Sequence, residues 1–194
     1  MRVHGDKVIR RRDGISKLSD YQSAKEILKQ DFYDLCGYCG KNSKHMHQHF
    51  QIDHFVPKSL DSKREKDYYN LVLACPRCNR AKWNQWPTRD VNVPNDGNVG
   101  FVDPATPEFD EHIQREANGF IVGITPLGRN MCHMLQLDIR PTNLLWKIDK
   151  FCEQQEKLEE CFWQGTLSNK EKEFYIKNNI FLKSYISKAM AEGE

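Results

Sequence analysis

The sequence predicts an α+β fold. It has a small metal-tied core of two strands and a helix, an N-terminal helix ahead of it and a mainly helical C-terminal region behind it. Three observations predict this. Two C-x2-C pairs, Cys36/Cys39 and Cys75/Cys78, bracket the segment I-D-H-F-V-P-K-S. Around that segment the pattern runs strand, long loop, strand, helix. Beyond Thr125, aromatic and aliphatic residues recur at helical spacing almost to the end of the chain.

Residues 1–15 are basic and irregular, with Arg10, Arg11 and Arg12 in a row. That run reads equally as an arm touching nucleic acid or as an unstructured start. Residues 19–35 read as a helix: Ser19 and Gln22 have capping-box spacing, and Tyr21, Ala24, Leu28, Phe32 and Leu35 share one face. Gly37 and Gly40 break it around the first cysteine pair. Residues 45–56 look extended until Pro57, and the alternation of His45, His47 and His49 puts them on one face, most simply an exposed polar one, with a further metal site or a lining of the phosphate path as alternatives. A charged loop or short helix, Asp61 to Asp67, leads to a short strand at Leu71-Val72-Leu73.

Residues 76–86 read as a helix stopped by Pro87. Residues 87–118, rich in Pro, Asn, Asp and Gly, read as a long connection. Phe120–Ile124 suggests another strand, and Thr125-Pro126 opens a helix with proline at its first position. Helices follow at 127–138, 142–164 and 168–190. Two domains are expected: residues 1–90 as the core with its metal site, and 91–194 as linker and helical region.

Hydrophobic residues make up 39% of the 194 and mean hydropathy is −0.75. No apolar run approaches the roughly 20 residues of a membrane span, and the start lacks the apolar stretch of a secretion signal. A cytoplasmic location follows as the default, where thiols stay reduced and paired cysteines favour metal over disulfide. Residues 1–90 carry 18 Lys+Arg against 11 Asp+Glu, or +7, while the remainder carries −5. A basic first half suits a polyanion partner, and an acidic helical second half suits docking to another protein.

Structural zinc wants four tetrahedral N/S ligands. Two C-x2-C turns supply them, so Cys36, Cys39, Cys75 and Cys78 are the expected Zn2+ ligands. Cys132, Cys152 and Cys161 lack partner spacing and read as core residues. A second kind of metal chemistry lies between the pairs. Metal-assisted phosphodiester hydrolysis needs oxygen ligands for a hard cation and a neutral imidazole to take a proton from water. Asp53 and Asn79 can supply the oxygens to Mg2+ or Mn2+, His54 the imidazole, and Asn70 a bond that fixes the loop carrying His54.

These residues carry a family resemblance. I-D-H-F-V-P-K-S followed by N-L-V-L-A-C-P-R-C-N-R-A-K resembles the HNH endonucleases, in the variant with asparagine at the last position. The resemblance covers about residues 33–86 and rests on six spaced positions. It implies the ββα-metal fold, His54 as general base, Asn70 as orienting residue, Asp53 and Asn79 as ligands of the catalytic cation, and the zinc-bearing branch with four cysteine ligands. A second segment, G-F-I-V-G-I-T-P-L-G-R-N-M-C-H-M-L-Q-L, is similar to the tail of HNH proteins of Septu-type and retron-associated anti-phage systems. In those the nuclease works beside an ATPase.

The implied activity is endonucleolytic cleavage of DNA, with RNA left open. Lys58, Arg77, Arg80 and Lys82 surround the expected site and are candidates for phosphate contact. Trp83 and Trp86 are expected to pack against the core rather than stack on bases. The competing reading is a zinc-stabilised nucleic-acid-binding module without catalysis.

Overall fold

The computed structural model describes residues 1–15, 17–45 and 49–192. It divides into two compact units, Met1–Arg140 and Pro141–Glu194. The boundary therefore falls fifty residues later than the sequence suggested. The reason is burial: Phe101, Phe109, Ile113, Ile121 and Leu127 belong to the same buried cluster as Leu71, Val72 and Leu73. Proline- and asparagine-rich composition hid a segment that completes the core.

In the first unit the chain enters its helix through Asp20, not Ser19. The Asp20 carboxylate accepts from the backbone N–H of Gln22, opening a 3-10 turn at Tyr21–Ala24 and then α1, Lys25–Asp31. α1 stops early because Tyr33 and Asp34 take positive φ of 55° and 58°. The helix buries Leu28, with Ala24 and Phe32 buried at its ends. The first cysteine turn follows. Its Gly40 has φ +68°, and a Cβ there would lie 2.6 Å from the carbonyl oxygen of Val3, so only glycine fits.

Strand β1, Gln51–His54, pairs antiparallel with β2, Leu71–Ala74, in the register Asp53↔Val72 and His54↔Leu71. The extended stretch is thus shorter than expected: His45 and His49 precede the strand, and His47 lies outside the described residues. Helix α2, Pro76–Lys82, begins immediately after β2. Proline at its first position has no N–H to leave unpaired, and Cys75 caps it by accepting from Cys78 N–H. This strand, loop, strand, helix unit is the expected ββα arrangement.

Within residues 91–140 the structure adds two elements that sequence reasoning missed. They are α3, Phe109–His112, and β3, Ile113–Arg115, which pairs antiparallel with β4, Ile121–Gly123. Helix α4, Pro126–Met134, is capped by Thr125, whose hydroxyl accepts from Gly128 N–H. Gly128 has no room for a side chain: a Cβ would lie 1.8 Å from His112 O.

Two of the N-terminal arginines, Arg11 and Arg12, are structural. Arg11 is nearly buried, grips Asp103 through both guanidinium ends at 2.7 and 3.0 Å, and donates to Leu71 O. Arg12 pairs with Asp31, which also accepts from Tyr68. The expectation of an arm or an unstructured start fails for Arg11 and Arg12, because each of these guanidiniums has a carboxylate built to receive it.

The second unit is a helical hairpin of α5, Thr142–Trp163, and α6, Asn169–Ala191. Phe151 stacks on Phe181 and Tyr185, while Tyr175 donates to Glu159, so the start of one helix lies against the end of the other and the pair is antiparallel. Ser168 and Glu171 form a reciprocal capping box at the start of α6. Among the described residues no helix is long and apolar enough to cross a membrane.

His4 shows how tightly the N-terminal segment is fitted. It is buried, and its Nε2 lies 2.8 Å from Gly37 O; a carbonyl only accepts, so Nε2 donates. Burial pulls the imidazole down from its ordinary 6.5 to about 4. Between those values the unfolded chain binds a proton that the folded chain refuses, so stability is intact above pH 6.5 and falls as pH drops toward 4. The loss amounts to about 3 kcal/mol at about 1.4 kcal/mol per unit. His4→Gln keeps the donor without the titration. Urea unfolding of the two proteins at pH 7 and pH 4.5 should show the wild type losing about 2–3 kcal/mol more than the variant.

Candidate active site and metal centre

The metal centre is made by two turns from opposite ends of the ββα unit. One follows α1 and the other starts α2. The sulfurs of Cys36, Cys39, Cys75 and Cys78 all lie within 4.8 Å of one another, and all four residues are buried. A tetrahedral zinc with Zn–S of about 2.3 Å requires S···S of about 3.8 Å, and Cys39 and Cys75 are 3.8 Å apart. The donor set, its burial and its spacing fit zinc.

Two buried arginines serve this cluster. Arg140 reaches Cys78 Sγ at 3.1 Å and Cys75 Sγ at 3.9 Å, where it would offset the net negative charge that four thiolates leave around a divalent ion. Hydrogen bonds from neighbouring thiols, followed more distantly by Arg140, pull Cys75 well below the ordinary thiol value. Arg115 donates to Cys39 O at 2.8 Å and to Val3 O at 3.1 Å, tying the first turn to the N-terminal segment.

Beside the cluster runs an open groove of about 430 Å3, whose lining includes Asp53, His54, Lys58, Asn79, Arg80 and Trp83. His54 ends β1. Its Nε2 is 3.0 Å from Glu65 O, so in the neutral ring Nε2 carries the proton and Nδ1 keeps its lone pair. Tyr21 meets the ring edge-on at 4.9 Å. Burial pushes the His54 pKa below its ordinary value, more than the Glu65 carbonyl pushes it up, which favours the neutral ring.

Asn70 holds the loop that presents His54. Its Oδ1 accepts from Val56 N–H at 2.8 Å, and its Nδ2 donates to Val56 O at 3.0 Å and to Arg64 O at 3.3 Å. One side chain thus replaces three bonds that a long loop would otherwise take from water. Asp53 precedes His54 on β1 and lines the same groove. Its Oδ2 receives Tyr38 Oη at 2.5 Å and Lys82 Nζ at 3.2 Å, and Lys82 also donates to His54 O at 2.9 Å. Burial pushes Asp53 upward against the pull of Lys82 and Tyr38, and pushes Lys82 downward against the pull of Asp53. Asn79, one turn into α2, donates Nδ2 to Gln51 Oε1 at 2.7 Å, which leaves its Oδ1 as the accepting end.

Residues 36–85 match the family model described as HNH endonuclease. Over that stretch the chain is similar to the HNH endonucleases.

Two curated relatives match over about half of the chain. One is the candidate HNH endonuclease of retron Vc95 from Vibrio cholerae serotype O1 biovar El Tor, 27% identical over 109 residues, covering 53% of this chain and 49% of the relative. The other is Septu protein PtuB of Bacillus mycoides strain KBAB4, 27% identical over 121 residues, covering 52% and 41%. The chain spans about half the length of the curated relatives it matches. No solved structure matches at the same significance.

The fold brings Asp53, His54, Asn79, Lys58 and Arg80 to one groove, with Asn70 buried behind the loop. Lys82 is a correction. It was expected among the phosphate-contacting cations, yet it is fully buried under Asp53 and cannot meet a ligand in solvent. Arg77 is half-buried and stands outside the groove lining. The tryptophans part company: Trp86 is buried against Phe55 and Phe101, as expected, whereas Trp83 is 69% exposed on the groove rim.

Gln51, Tyr21, Tyr38 and the Glu65 carbonyl were missed. Only strand register could have revealed Gln51, since it stands two residues before Asp53 on β1. Of the remaining cysteines, Cys132 is buried while Cys152 and Cys161 are half-buried. Among the described residues the cysteine quartet is the one cluster of His, Cys, Asp and Glu with metal-binding geometry, and neither His45 nor His49 joins it.

Removing one partner of a buried ion pair leaves the other uncompensated. Lys82→Met should therefore lower the unfolding free energy by about 3 kcal/mol. Lys58→Met, at an exposed pair with Glu65, should change it by less than about 0.5 kcal/mol. Urea denaturation checks both, and equal effects would place Lys82 at the surface after all.

Proposed function

We propose that the chain is a metal-dependent endonuclease that hydrolyses phosphodiester bonds of DNA in anti-phage defence. The observation that carries this reading is the state of His54. A carbonyl acceptor on Nε2 and a partly buried ring give a neutral imidazole with its Nδ1 lone pair available in an open, cation-lined groove.

In this mechanism His54 Nδ1 takes a proton from a water molecule as the water oxygen bonds to phosphorus. The bond to the leaving sugar oxygen then breaks, and that oxygen is protonated from solvent. Asn70 keeps the His54 loop from drifting, and the Glu65 carbonyl keeps the ring from rotating. Lys58 and Arg80 draw the phosphate backbone into the groove. Asp53, through the carboxylate oxygen not taken by Tyr38 and Lys82, and Asn79, through Oδ1, would hold Mg2+ or Mn2+. Such an ion would stabilise negative charge on the scissile phosphate. Both donors are hard oxygens, which suits those ions.

The defence assignment is supported by relatives named for a retron and for Septu. We place the activity beside an ATPase partner, to which the helical hairpin offers an exposed apolar surface that includes Trp163, Ile176 and Ile180.

Supercoiled plasmid with Mg2+, Mn2+ or chelator tests the reading. Nicking or linearisation should require the metal, and His54→Ala should slow it at least about 100-fold, the usual contribution of a general base. Undiminished cutting by His54→Ala would remove His54 from the role. Wild-type protein that binds plasmid without cutting it under either metal, alone or with its co-purifying ATPase, would favour the binding-only module.

A further inference from the structure

An isolated exposed apolar side chain needs no special account. Trp83 differs in two respects. It stands on the rim of the groove that holds His54 and Asn79, 69% exposed. Its backbone also takes φ +43° and ψ −131°, a conformation that a bulky non-glycine residue rarely adopts. The strain is local and has a cause. The Trp83 N–H closes α2 by donating to Asn79 O at 2.9 Å, and the chain then reverses so that Trp86, three residues on, can bury its ring between Phe55 and Phe101.

Glycine would meet that turn at no conformational cost. The chain instead carries its largest side chain there, one residue past the helix that presents Asn79. The indole is exposed, and the cations at the groove, Arg80 and Lys58, are already suited to phosphate. What remains for an uncharged aromatic plane beside a phosphate path is a base.

We propose that Trp83 stacks on one unpaired nucleobase next to the scissile phosphate, so that the groove prefers DNA with single-stranded character at the cut. This rests on the nuclease reading above. A base within an intact duplex has both faces covered by its neighbours and cannot lie on the indole, whereas a base in a single strand, flap or bulge can. Stacking of this kind tolerates any base, so Trp83 sets the strandedness of the substrate and not its sequence.

The test is a double-mutant cycle on binding, in a His54→Ala background that leaves the DNA uncut. Fluorescein-labelled single strands, intact or with one abasic site moved along the strand, are titrated by anisotropy against the parent, Trp83→Ala and Trp83→Phe. Circular dichroism and zinc content confirm that the variants fold. Trp83→Ala should weaken single-strand binding about 10-fold and Trp83→Phe by much less. One abasic position should cost the parent a similar factor and cost Trp83→Ala almost nothing.

Equal affinities for parent and Trp83→Ala would overturn the stacking role, as would an abasic penalty that persists in Trp83→Ala. A loss confined to intact duplex would overturn the preference for unpaired bases. A parent protein that binds neither single strand nor duplex would overturn the nuclease reading along with it, which separates that failure from failure of the stacking alone.

Discussion

The cysteine quartet is the constraint on which the first unit depends. Its two turns belong to segments far apart in sequence: one ends the α1 region and the other starts α2. Neither a four-residue strand pair nor a seven-residue helix holds its place through hydrogen bonding alone. A zinc held by both turns would fix the start of α2, and through it the positions of Asn79, Arg80 and Trp83 relative to β1. Metal binding of this kind is folding free energy. The buried arginines extend the clamp. Arg140 carries it to the end of the unit, and Arg115 carries it to the N-terminal segment, where His4 and Gly40 leave no slack.

From this frame the groove follows by register. Asp53 and His54 are neighbours on a strand, so their side chains leave it on opposite faces. The structure gives each face its own support. Tyr38 and Lys82 lie behind Asp53, and the loop fastened by Asn70 lies behind His54. Lys82 touches both sides, since it pairs with the Asp53 carboxylate and donates to the His54 carbonyl. The proposed base and the proposed cation ligand are therefore coupled through one buried lysine.

The parts legible in the sequence were those fixed by local spacing. The two C-x2-C pairs, the strand at Leu71-Val72-Leu73, the proline-capped starts of α2 and α4 and the two long helices all announce themselves within a few residues. What sequence hid was set by distant partners. Lys82 follows Arg80 in a basic helix and reads as surface, because nothing local says that Asp53 lies beneath it. Arg11 and Arg12 read as a basic run, because Asp103 and Asp31 come from elsewhere. Trp83 and Trp86 have the same spacing as a core pair, but α2 ends at Lys82, and the turn that follows sends the rings to different environments. β3 was hidden for a different reason: its partner β4 lies only a few residues on, but the composition of residues 87–118 is that of a loop.

The measurement that tests the zinc clamp most directly is native mass spectrometry of the purified chain, with elemental analysis of the same sample. One zinc per chain is expected, retained at neutral pH and lost in Cys75→Ser together with the native circular dichroism of the first unit. A chain that carries no zinc, or a Cys75→Ser variant that keeps its fold without it, would contradict the account.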